Sequence, residues 1–277
     1  MIGFNYLGKM GQLGNQMFQY ASLKGIARKH GYEFCIPNHD EVMVDVLGNK
    51  LRIELFDAFD LREEGKFRIG FMKTDQMVQE PTFHFCRELL EECPDDVCIV
   101  GYLQTEKYFT HIEDEIRKDF TFRKEFEDGY EEAKDMFDNP VALHIRRGDF
   151  IINHANHHNL SLSYYEKALK EFDDDMPVVV FSDSIDWVKE QDLFKPDRFM
   201  ISEQTDKFSD GALVPYIDLC LMTLCDHAII ANSSMSWWGA WLIQNEYKKV
   251  VAPKMWFGPA YADKDTKDLY PKGCIVI

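Results

Sequence analysis

Two arginines stand side by side in the segment His144-Ile145-Arg146-Arg147-Gly148-Asp149, which follows an apolar run at 141–143. An arginine offers a planar fork of N–H donors that can bind two phosphate oxygens at once. The chain has a formal net charge of −17, so such a pair would concentrate donors for an anion that the rest of the chain repels. The pair therefore indicates a diphosphate clamp that stabilises charge on a nucleotide leaving group. An exposed basic turn is the alternative interpretation.

Two further polar segments follow apolar runs in the same way. Ser182-Asp183-Ser184 follows residues 178–181, and Asn232-Ser233-Ser234 follows residues 227–231. The second segment precedes an apolar helical stretch, so backbone N–H groups at the helix start could bind an anion, with the serine hydroxyls as additional donors. One of its residues could equally be an ordinary N-cap.

A glycine-rich turn, Gly11-Gln12-Leu13-Gly14-Asn15-Gln16, lies between a predicted strand and a predicted helix. It does not match G-x-G-x-x-G, so the dinucleotide fingerprint does not apply. Its glycines would let the backbone approach a ligand closely. Asn15 and Gln16 supply amide groups suited to sugar hydroxyls or phosphate. A tight turn with an asparagine cap is the alternative.

The elements that must position these residues follow from the hydrophobic pattern. The apolar runs are continuous rather than alternating, which is typical of strands covered on both faces of a parallel sheet. They alternate with helical segments, so we predict an α/β fold with a doubly wound, Rossmann-like domain from about residue 139. Ligands bind at the carboxyl ends of parallel strands, so the three polar segments should form one site. Strands are predicted at 2–7, 32–36, 96–103, 141–146, 178–181, 227–231 and 249–252, and helices at 16–30, 109–122, 126–137, 163–172, 210–223 and 235–243.

The length of 277 residues suits two domains, which we predict at 1–138 and 139–277. The boundary is placed at Asn139-Pro140, which ends the acidic helix predicted before it. Residues 40–95 carry no clear pattern, and their role is left open.

Composition excludes several classes of partner. An acidic chain of this kind should repel nucleic acid and anionic lipid, so neither is a predicted partner. The sequence contains no run of 18 apolar residues, and Gly3, Asn5 and Lys9 interrupt the start, so we predict no signal peptide and no integral membrane segment. Seven cysteines without a C-x-x-C pair are typical of reduced thiols in a cytoplasmic protein.

Candidate metal ligands are weak. Two D-x-D strings, at 173–175 and 263–265, lie in an acidic run and a lysine-rich loop, so we predict solvated surface there. His154, His157 and His158 lie in an asparagine-rich loop without regular helical spacing. We therefore predict no metal and no cofactor, with the arginines neutralising charge in place of a divalent ion.

Four segments together resemble the family 11 glycosyltransferases, which are the α-1,2-fucosyltransferases. They are Gly11-Gln12-Leu13-Gly14-Asn15-Gln16-Met17-Phe18-Gln19-Tyr20-Ala21, His144-Ile145-Arg146-Arg147-Gly148-Asp149, Phe181-Ser182-Asp183-Ser184 and Asn232-Ser233-Ser234-Met235-Ser236-Trp237-Trp238-Gly239-Ala240-Trp241. They occur in the family's order and span residues 11–241, so the resemblance covers most of the chain. The H-x-R-R-x-D element is shared more widely with α-1,6- and protein O-fucosyltransferases.

The resemblance implies a GT-B-like variant with two Rossmann-like domains and mostly parallel sheets. GDP-fucose would bind the C-terminal domain, and the acceptor would lie on the side of the N-terminal domain. Fucose would be transferred with inversion from GDP-β-L-fucose to the 2-hydroxyl of a terminal galactoside, without a metal. The acceptor would be a galactose-terminated oligosaccharide or a surface-glycan precursor. Because the sequence begins almost at the first motif, it looks like a bacterial cytoplasmic form.

The resemblance also implies roles for individual residues. Arg146 should bind the β-phosphate, His144 would face the guanine, and Asp218 could accept from guanine N1 and N2. Ser233 and Ser234 match phosphate-binding positions. The remaining predicted donor-binding residues are Arg147, Ser182 and Asn232, together with Gly14, Asn15 and Gln16, which would lie near the fucose and the diphosphate.

A carboxylate should take the proton of the acceptor hydroxyl. Asp149 is the first candidate because it lies just past the arginines, and Asp183 is the second. Asp149 could instead be a structural partner that orients Arg147. A transferase of another GDP-sugar, a non-catalytic sugar-nucleotide-binding protein and a structural interaction module are the alternative functions.

Overall fold

The computed structural model describes residues 1–61, 67–124, 126, 137–204, 206–209, 211 and 214–277. The chain forms two compact units. The first comprises Met1–Arg123 and Lys264–Tyr270, and the second comprises Lys124–Asp263 and Pro271–Ile277. The helix predicted at 126–137 lies outside the described residues, and the predicted boundary at 138–139 stays a prediction. The sequence did not indicate that a late segment belongs to the first unit.

The first unit contains a five-stranded sheet in the order β5-β2-β1-β7-β6 with parallel pairing throughout. Its strands are β1 (Ile2–Gly3), β2 (Phe34–Ile36), β5 (Phe67–Ile69), β6 (Met77–Gln79) and β7 (Val97–Val100), and β3 (Met43–Val44) pairs antiparallel with β4 (Lys50–Leu51). Its helices are Leu13–His30, Leu55–Ala58, Arg87–Glu91 and Glu113–Asp119, with 3₁₀ turns at Glu106–Tyr108 and Thr110–Ile112.

Several predicted elements of this unit are shorter than expected. The strand predicted at 2–7 ends at Gly3, and the helix predicted at 109–122 is regular only over Glu113–Asp119. Phe4 and Leu7 are fully buried although they lie in a loop, so their apolar character reflects core packing rather than a strand. The stop predicted for the long helix is confirmed, because Gly31 takes a left-handed conformation with φ 70°.

The second unit contains a six-stranded parallel sheet in the order β10-β9-β8-β11-β12-β13. Its strands are β8 (Val141–Ile145), β9 (Val178–Ser182), β10 (Phe199–Ile201), β11 (His227–Ile229), β12 (Val250–Ala252) and β13 (Ile275–Val276). Its helices are Gly148–Ile152, Leu162–Leu169, Ile185–Glu190, Pro215–Thr223 and Ser234–Leu242, with 3₁₀ turns at Asp192–Phe194 and Pro259–Tyr261. The predicted α/β class with mostly parallel sheets is confirmed.

Burial of the central strands explains their unbroken apolar sequence. Every residue of β8 is buried, and Val141, Leu143 and Ile145 pack in one core cluster with the helix Leu162–Leu169. His144 is the one polar residue of that strand, and it is 3% exposed. His144 is therefore held in place by a strand of a parallel sheet that is covered on both faces.

Lys248 stabilises the end of the helix Ser234–Leu242. Its ammonium donates to the carbonyls of Ala240 at 2.9 Å, Trp241 at 2.8 Å and Ile243 at 2.9 Å. These carbonyls lie at the negative end of the helix dipole, where a cation is favourable. The opposite end of the same helix begins at Ser234, in one of the predicted site segments.

We expect Lys248→Met to lower the free energy of unfolding by about 1–3 kcal/mol, because it leaves terminal carbonyls without their charged donor. Urea denaturation measures this difference. Lys195→Met is the control, because Lys195 forms an exposed ion pair with Asp192 that should contribute little. Equal stability of the two variants would contradict the capping role.

Candidate functional site

The three polar segments lie at one edge of the second unit's sheet. Strands β9, β8 and β11 are consecutive neighbours and run parallel, so their carboxyl ends lie side by side. In register, His144 lies opposite Phe181 and Ile145 lies opposite Ser182. The next residues of each strand, the arginine pair and Asp183, therefore leave the sheet next to each other.

Arg146 lies between two carboxylates. Its Nη2 donates to Oδ1 of Asp149 at 2.6 Å, and its Nη1 lies 3.0 Å from Oδ2 of Asp183. Its guanidinium carbon also lies 5.3 Å from the ring centre of Phe150. A guanidinium has five N–H donors, so these two contacts fix its plane and leave donors for a phosphate.

The suggested pairing of Asp149 with Arg147 is wrong, because Asp149 pairs with Arg146 instead. The helix Gly148–Ile152 begins directly after its N-cap Arg147, so Arg146 lies just before the helix and Asp149 lies in its first turn. The spacing of three residues from Arg146 to Asp149 is the one that brings the side chains together.

Arg147 is held by the segment that follows β9. Its backbone N–H donates to Oδ1 of Asp183 at 2.8 Å. Its guanidinium carbon lies 3.9 Å from the ring centre of Trp187, which belongs to the helix Ile185–Glu190. The sequence pattern did not single out Trp187, and an aromatic residue in the first turn after a strand-end cluster is the signal that could have found it.

The local charge differs from the expectation of a concentrated positive spot. Arg146 is compensated by Asp149 and Asp183. Within the described part of the chain, the guanidinium of Arg147 forms no ion pair. The site therefore offers one cation compensated by carboxylates and one stacked on an aromatic ring, rather than two exposed positive charges.

His144 is buried below the arginines. Burial is the main cause that lowers the pKa of its imidazole to about 4, with Asp183 opposing the shift and Arg146 adding to it. The ring is therefore neutral at neutral pH and can donate from one nitrogen and accept at the other. Its Nδ1 has no hydrogen-bond partner among the described residues.

Asn232 links two loops beside the site. It is 2% exposed, and its Nδ2 donates to the carbonyls of His158 and Trp256, each at 2.8 Å. Its amide nitrogen is therefore occupied by the protein. The predicted role of Asn232 as a direct donor ligand stays a prediction.

Ser233 is the N-cap of the helix Ser234–Leu242 by position, yet its side chain makes no capping hydrogen bond within the described structure. Ser233 and Ser234 are both partly exposed. The helix start thus presents backbone N–H groups and two hydroxyls at the edge where the arginines lie.

Asp218 lies on the helix Pro215–Thr223, and its Oδ1 accepts from the hydroxyl of Ser202 at 3.2 Å. Ser202 directly follows β10, the neighbour of β9, so this pair lies at the same edge of the sheet. Burial raises the pKa of Asp218 to about 6, and the hydrogen bond from Ser202 opposes the rise. The hydroxyl of Ser182 accepts from the N–H of Ser184 at 3.0 Å and so shapes the turn after β9.

The glycine-rich turn belongs to the first unit. Gly14 and Asn15 lie in the first turn of the helix Leu13–His30, and Oδ1 of Asn15 accepts from Gln104. Gly11 has φ +92°, and a Cβ there would lie 2.0 Å from Nδ2 of Asn15. The turn therefore requires glycine at position 11 for both conformation and space.

Gln16 is fully buried and holds a neighbouring segment by both ends of its amide. Its Nε2 donates to the carbonyl of Arg52 at 2.7 Å, and its Oε1 accepts from the N–H of Glu54 at 2.9 Å. The predicted contact of Gln16 with the donor stays a prediction, and the structure gives the side chain a positioning role.

Glu54 caps the start of the helix Leu13–His30 from a distant part of the chain, and no local sequence pattern indicated this contact. Its Oε2 accepts from the N–H of Leu13 at 2.7 Å, and the residue is 4% exposed. Burial raises the pKa of Glu54 to about 7, while the Leu13 N–H and Arg52 oppose the rise. The folded protein therefore binds the Glu54 proton more tightly than the unfolded chain does.

The pKa of Glu54 in the folded protein lies above its value in the unfolded chain. The contribution of Glu54 to the free energy of unfolding should therefore be fully present in acid and be lost as the pH rises towards 7. Glu54→Gln has no proton to lose, so we expect it to gain stability relative to wild type between pH 5 and pH 8, by up to about 3 kcal/mol. Urea denaturation across this range measures the difference, with Glu41→Gln as the exposed control. Parallel pH curves for wild type and Glu54→Gln would contradict the assignment.

The D-x-D residues Asp173, Asp175, Asp263 and Asp265 are exposed, as predicted for solvated surface. In the parts of the chain that the structure describes, no group of three or more His, Cys, Asp and Glu side chains is arranged to hold a metal ion. Over the same residues, no helix is long and apolar enough to cross a membrane.

The fold is shared with a solved sugar transferase. The crystal structure of NodZ α-1,6-fucosyltransferase soaked with GDP-fucose superposes with a TM-score of 0.52 at 15% identity, covering 87% of this chain and 91% of that chain. The two α/β units with mostly parallel sheets therefore have a GT-B-like fold.

The chain belongs to glycosyl transferase family 11, whose model matches residues 2–273. Two relatives from Escherichia coli are each 30% identical. They are the O-antigen biosynthesis glycosyltransferase WbnK, with 93% of this chain and 96% of the relative covered, and an alpha-1,2-colitosyltransferase, with 89% and 90% covered. Galactoside alpha-(1,2)-fucosyltransferase 2 of Sus scrofa is 26% identical, with 87% of this chain and 70% of that protein covered.

Proposed function

We propose that this glycosyltransferase moves L-fucose from GDP-β-L-fucose to the 2-hydroxyl of a terminal galactoside, with inversion to an α-1,2 linkage. The observation that carries the proposal is Arg146, fixed between Asp149 and Asp183 at the strand edge where the helix from Ser234 begins. This arrangement suits a leaving diphosphate. The similarity to the galactoside fucosyltransferase of Sus scrofa supports fucose and galactose as the sugars.

In the proposed reaction the acceptor oxygen attacks fucose C1 from the face opposite GDP. Charge then develops on the β-phosphate, and Arg146 and Arg147 stabilise it together with the N–H groups at the start of the helix Ser234–Leu242. Preorganised donors of this kind would make a divalent ion unnecessary, so we propose that the reaction needs no metal.

Asp149 is the proposed general base. Its carboxylate is 19% exposed, so it can be reached from solvent while its Oδ1 stays on Arg146. A carboxylate within reach of the acceptor hydroxyl would accept its proton as the new bond forms.

A second donor sugar is favoured by one comparison, since an E. coli relative is an alpha-1,2-colitosyltransferase. Colitose is fucose without its 3-hydroxyl group. A site built to hydrogen-bond that hydroxyl rejects the sugar that lacks it, whereas a site without such a partner discriminates weakly. The donor is therefore decided by the ratio of kcat/KM values rather than by binding of GDP alone.

The test uses GDP-fucose, GDP-colitose and GDP-mannose in parallel, with lactose as acceptor and released GDP as the readout. We expect the highest kcat/KM with GDP-fucose and a product whose new linkage is to the galactose 2-hydroxyl. A higher kcat/KM with either other donor would replace fucose in the proposal. GDP binding without turnover on a panel of galactosides would favour the non-catalytic alternative.

We propose that Asp218 binds the guanine base. A carboxylate can accept from guanine N1 and N2 together only when it is ionised. Its pKa of about 6 predicts that GDP affinity falls as pH drops below 6, by up to about tenfold per pH unit. Calorimetric titration with GDP between pH 5 and pH 8 measures this, and Asp218→Asn should bind weakly with a flat pH dependence. An unchanged GDP affinity at pH 5 in wild type would remove Asp218 from the base site.

We propose a cytoplasmic location and an acceptor that is a galactose-terminated oligosaccharide or a surface-glycan precursor. All seven cysteines are free thiols, which suits a reducing compartment. The E. coli relative in O-antigen biosynthesis supports a surface glycan as the final product.

A further inference from the structure

We propose that Asp183 and Trp187, both on the segment that follows β9, are positioning residues that fix the two arginines of the site for a nucleotide diphosphate. The proposal rests on the proposed function and assigns Asp183 a task other than that of general base. Neither side chain needs to touch the reacting atoms for this task.

Asp183 uses both of its carboxylate oxygens on the arginine segment. Oδ1 accepts from the backbone N–H of Arg147 at 2.8 Å, and Oδ2 lies 3.0 Å from Nη1 of Arg146. The Oδ2 atom is buried from solvent, and it meets Arg146 as an ion pair without a hydrogen bond among the described residues. Burial therefore keeps an acceptor hydroxyl in solvent from Oδ2, whereas the carboxylate fixes one backbone position and one guanidinium plane.

The fit between the two segments leaves no spare room. A Cβ added at Gly148 would lie 2.6 Å from Oδ2 of Asp183 and 3.2 Å from its Cγ. The absence of a side chain at position 148 thus lets the carboxylate reach the arginines from the neighbouring strand. Glycine is therefore needed at position 148 because of close packing rather than because of its backbone conformation.

Trp187 fixes the second arginine. The guanidinium carbon of Arg147 lies 3.9 Å from the ring centre, a close cation–π distance. In the described residues that guanidinium forms no ion pair, so the ring is the contact that defines its position. An arginine stacked on an aromatic face keeps its N–H donors in one plane, directed past the ring edge towards an anion.

The two residues that hold the arginines, Asp183 and Trp187, both lie on the segment that follows β9. Trp187 lies four residues after Asp183 and in the first turns of the helix Ile185–Glu190, which is anchored to the sheet through β9. A rigid support of this kind lowers the entropy that the arginines lose when they bind a diphosphate.

The first experiment is a double-mutant cycle on GDP affinity, measured by calorimetry with Trp187→Leu, Arg147→Ala and the double variant. We expect Trp187→Leu to weaken GDP binding by about 5–20-fold, and Trp187→Phe by less than about threefold, because phenylalanine keeps an aromatic face. In the Arg147→Ala background, Trp187→Leu should change affinity by less than about twofold. Equal effects in both backgrounds, or a loss in Trp187→Phe as large as in Trp187→Leu, would overturn the role of Trp187. Melting curves identify any variant that does not fold, and the Trp187→Phe comparison then decides.

The second experiment separates positioning from proton transfer at Asp183. Asp183→Asn should raise the donor KM and the GDP Kd together, by about tenfold or more. The decline of kcat at low pH, which is the acidic limb of the plot of kcat against pH, should remain. Gly148→Ala should act in the same direction, because its Cβ displaces the carboxylate. Asp192→Asn, an exposed aspartate in the same unit, is the matched control. An unchanged GDP Kd together with loss of the acidic limb would make Asp183 the base and overturn the proposal.

Different results would refute the proposed function and the positioning roles. Wild-type protein that binds no GDP would refute the proposed function. Wild-type protein that binds GDP and transfers sugar, with GDP affinities of Trp187→Leu and Asp183→Asn equal to its own, would refute the positioning roles alone.

Discussion

Arg146→Lys is expected to lower kcat/KM for GDP-fucose by a factor on the order of 10²–10³. Lysine carries one compact ammonium group in place of the planar fork. Between Asp149 and Asp183 that ammonium would be occupied by the carboxylates, and it could not also present paired donors to a leaving phosphate. Initial rates of GDP release at varied donor concentration measure the effect.

Arg68→Lys is the matched control, because Arg68 forms a largely exposed ion pair with Glu33 and should keep wild-type turnover. The loss in Arg146→Lys should be larger in kcat/KM than in GDP affinity, since the fork acts most strongly on charge that develops during the reaction. Turnover close to wild type in Arg146→Lys would refute the clamp.

Asp149→Asn is expected to lower kcat by a factor on the order of 10²–10⁴, which is the usual contribution of a general base. Asparagine keeps an oxygen that can accept from Arg146, so the geometry of the arginine should persist. GDP affinity should therefore change by less than about threefold, and the acidic limb of the kcat profile should disappear. Single-turnover rates across pH, together with GDP calorimetry, provide both measurements.

The same two measurements distinguish the other role of Asp149. If it only orients Arg146, GDP affinity and kcat should fall together, and the acidic limb should remain. Unchanged turnover would exclude both roles, and Asp192→Asn again controls for loss of a surface carboxylate.

The position of the site could be predicted because it depends on local pattern. Continuous apolar runs mark buried parallel strands, and parallel strands bring their carboxyl ends to one edge. The arginine pair, Asp183 and Ser233 follow three such runs, and the sheet order makes those runs neighbours. The residue types of these segments predict a phosphate site there, and that assignment stays a prediction.

The pairing inside the site could not be predicted, because it depends on helix phase and on strand order. Asp149 contacts Arg146, three residues before it, rather than Arg147, which is the N-cap of the helix that begins at Gly148. The stack of Trp187 on Arg147 requires β9 to lie beside β8, which no residue spacing shows. Glu54 caps a helix that begins 41 residues earlier in the chain, so its role is visible only in the folded unit.

The apolar character of Phe4 and Leu7 misled the strand prediction for a similar reason. A buried loop and a buried strand both require apolar residues, and only tertiary packing distinguishes them. Sequence patterns do not identify the donor sugar either, because fucose and colitose differ by only one hydroxyl group.

The most direct test of the proposed metal-free arginine clamp is sugar transfer in the presence of a chelator. The protein is dialysed against EDTA and incubated with GDP-fucose and lactose in EDTA, and GDP release and the product linkage are followed. The proposed metal-free clamp predicts undiminished turnover and a fucose attached α-1,2 to the galactose. Loss of turnover in EDTA that returns with magnesium or manganese would contradict it.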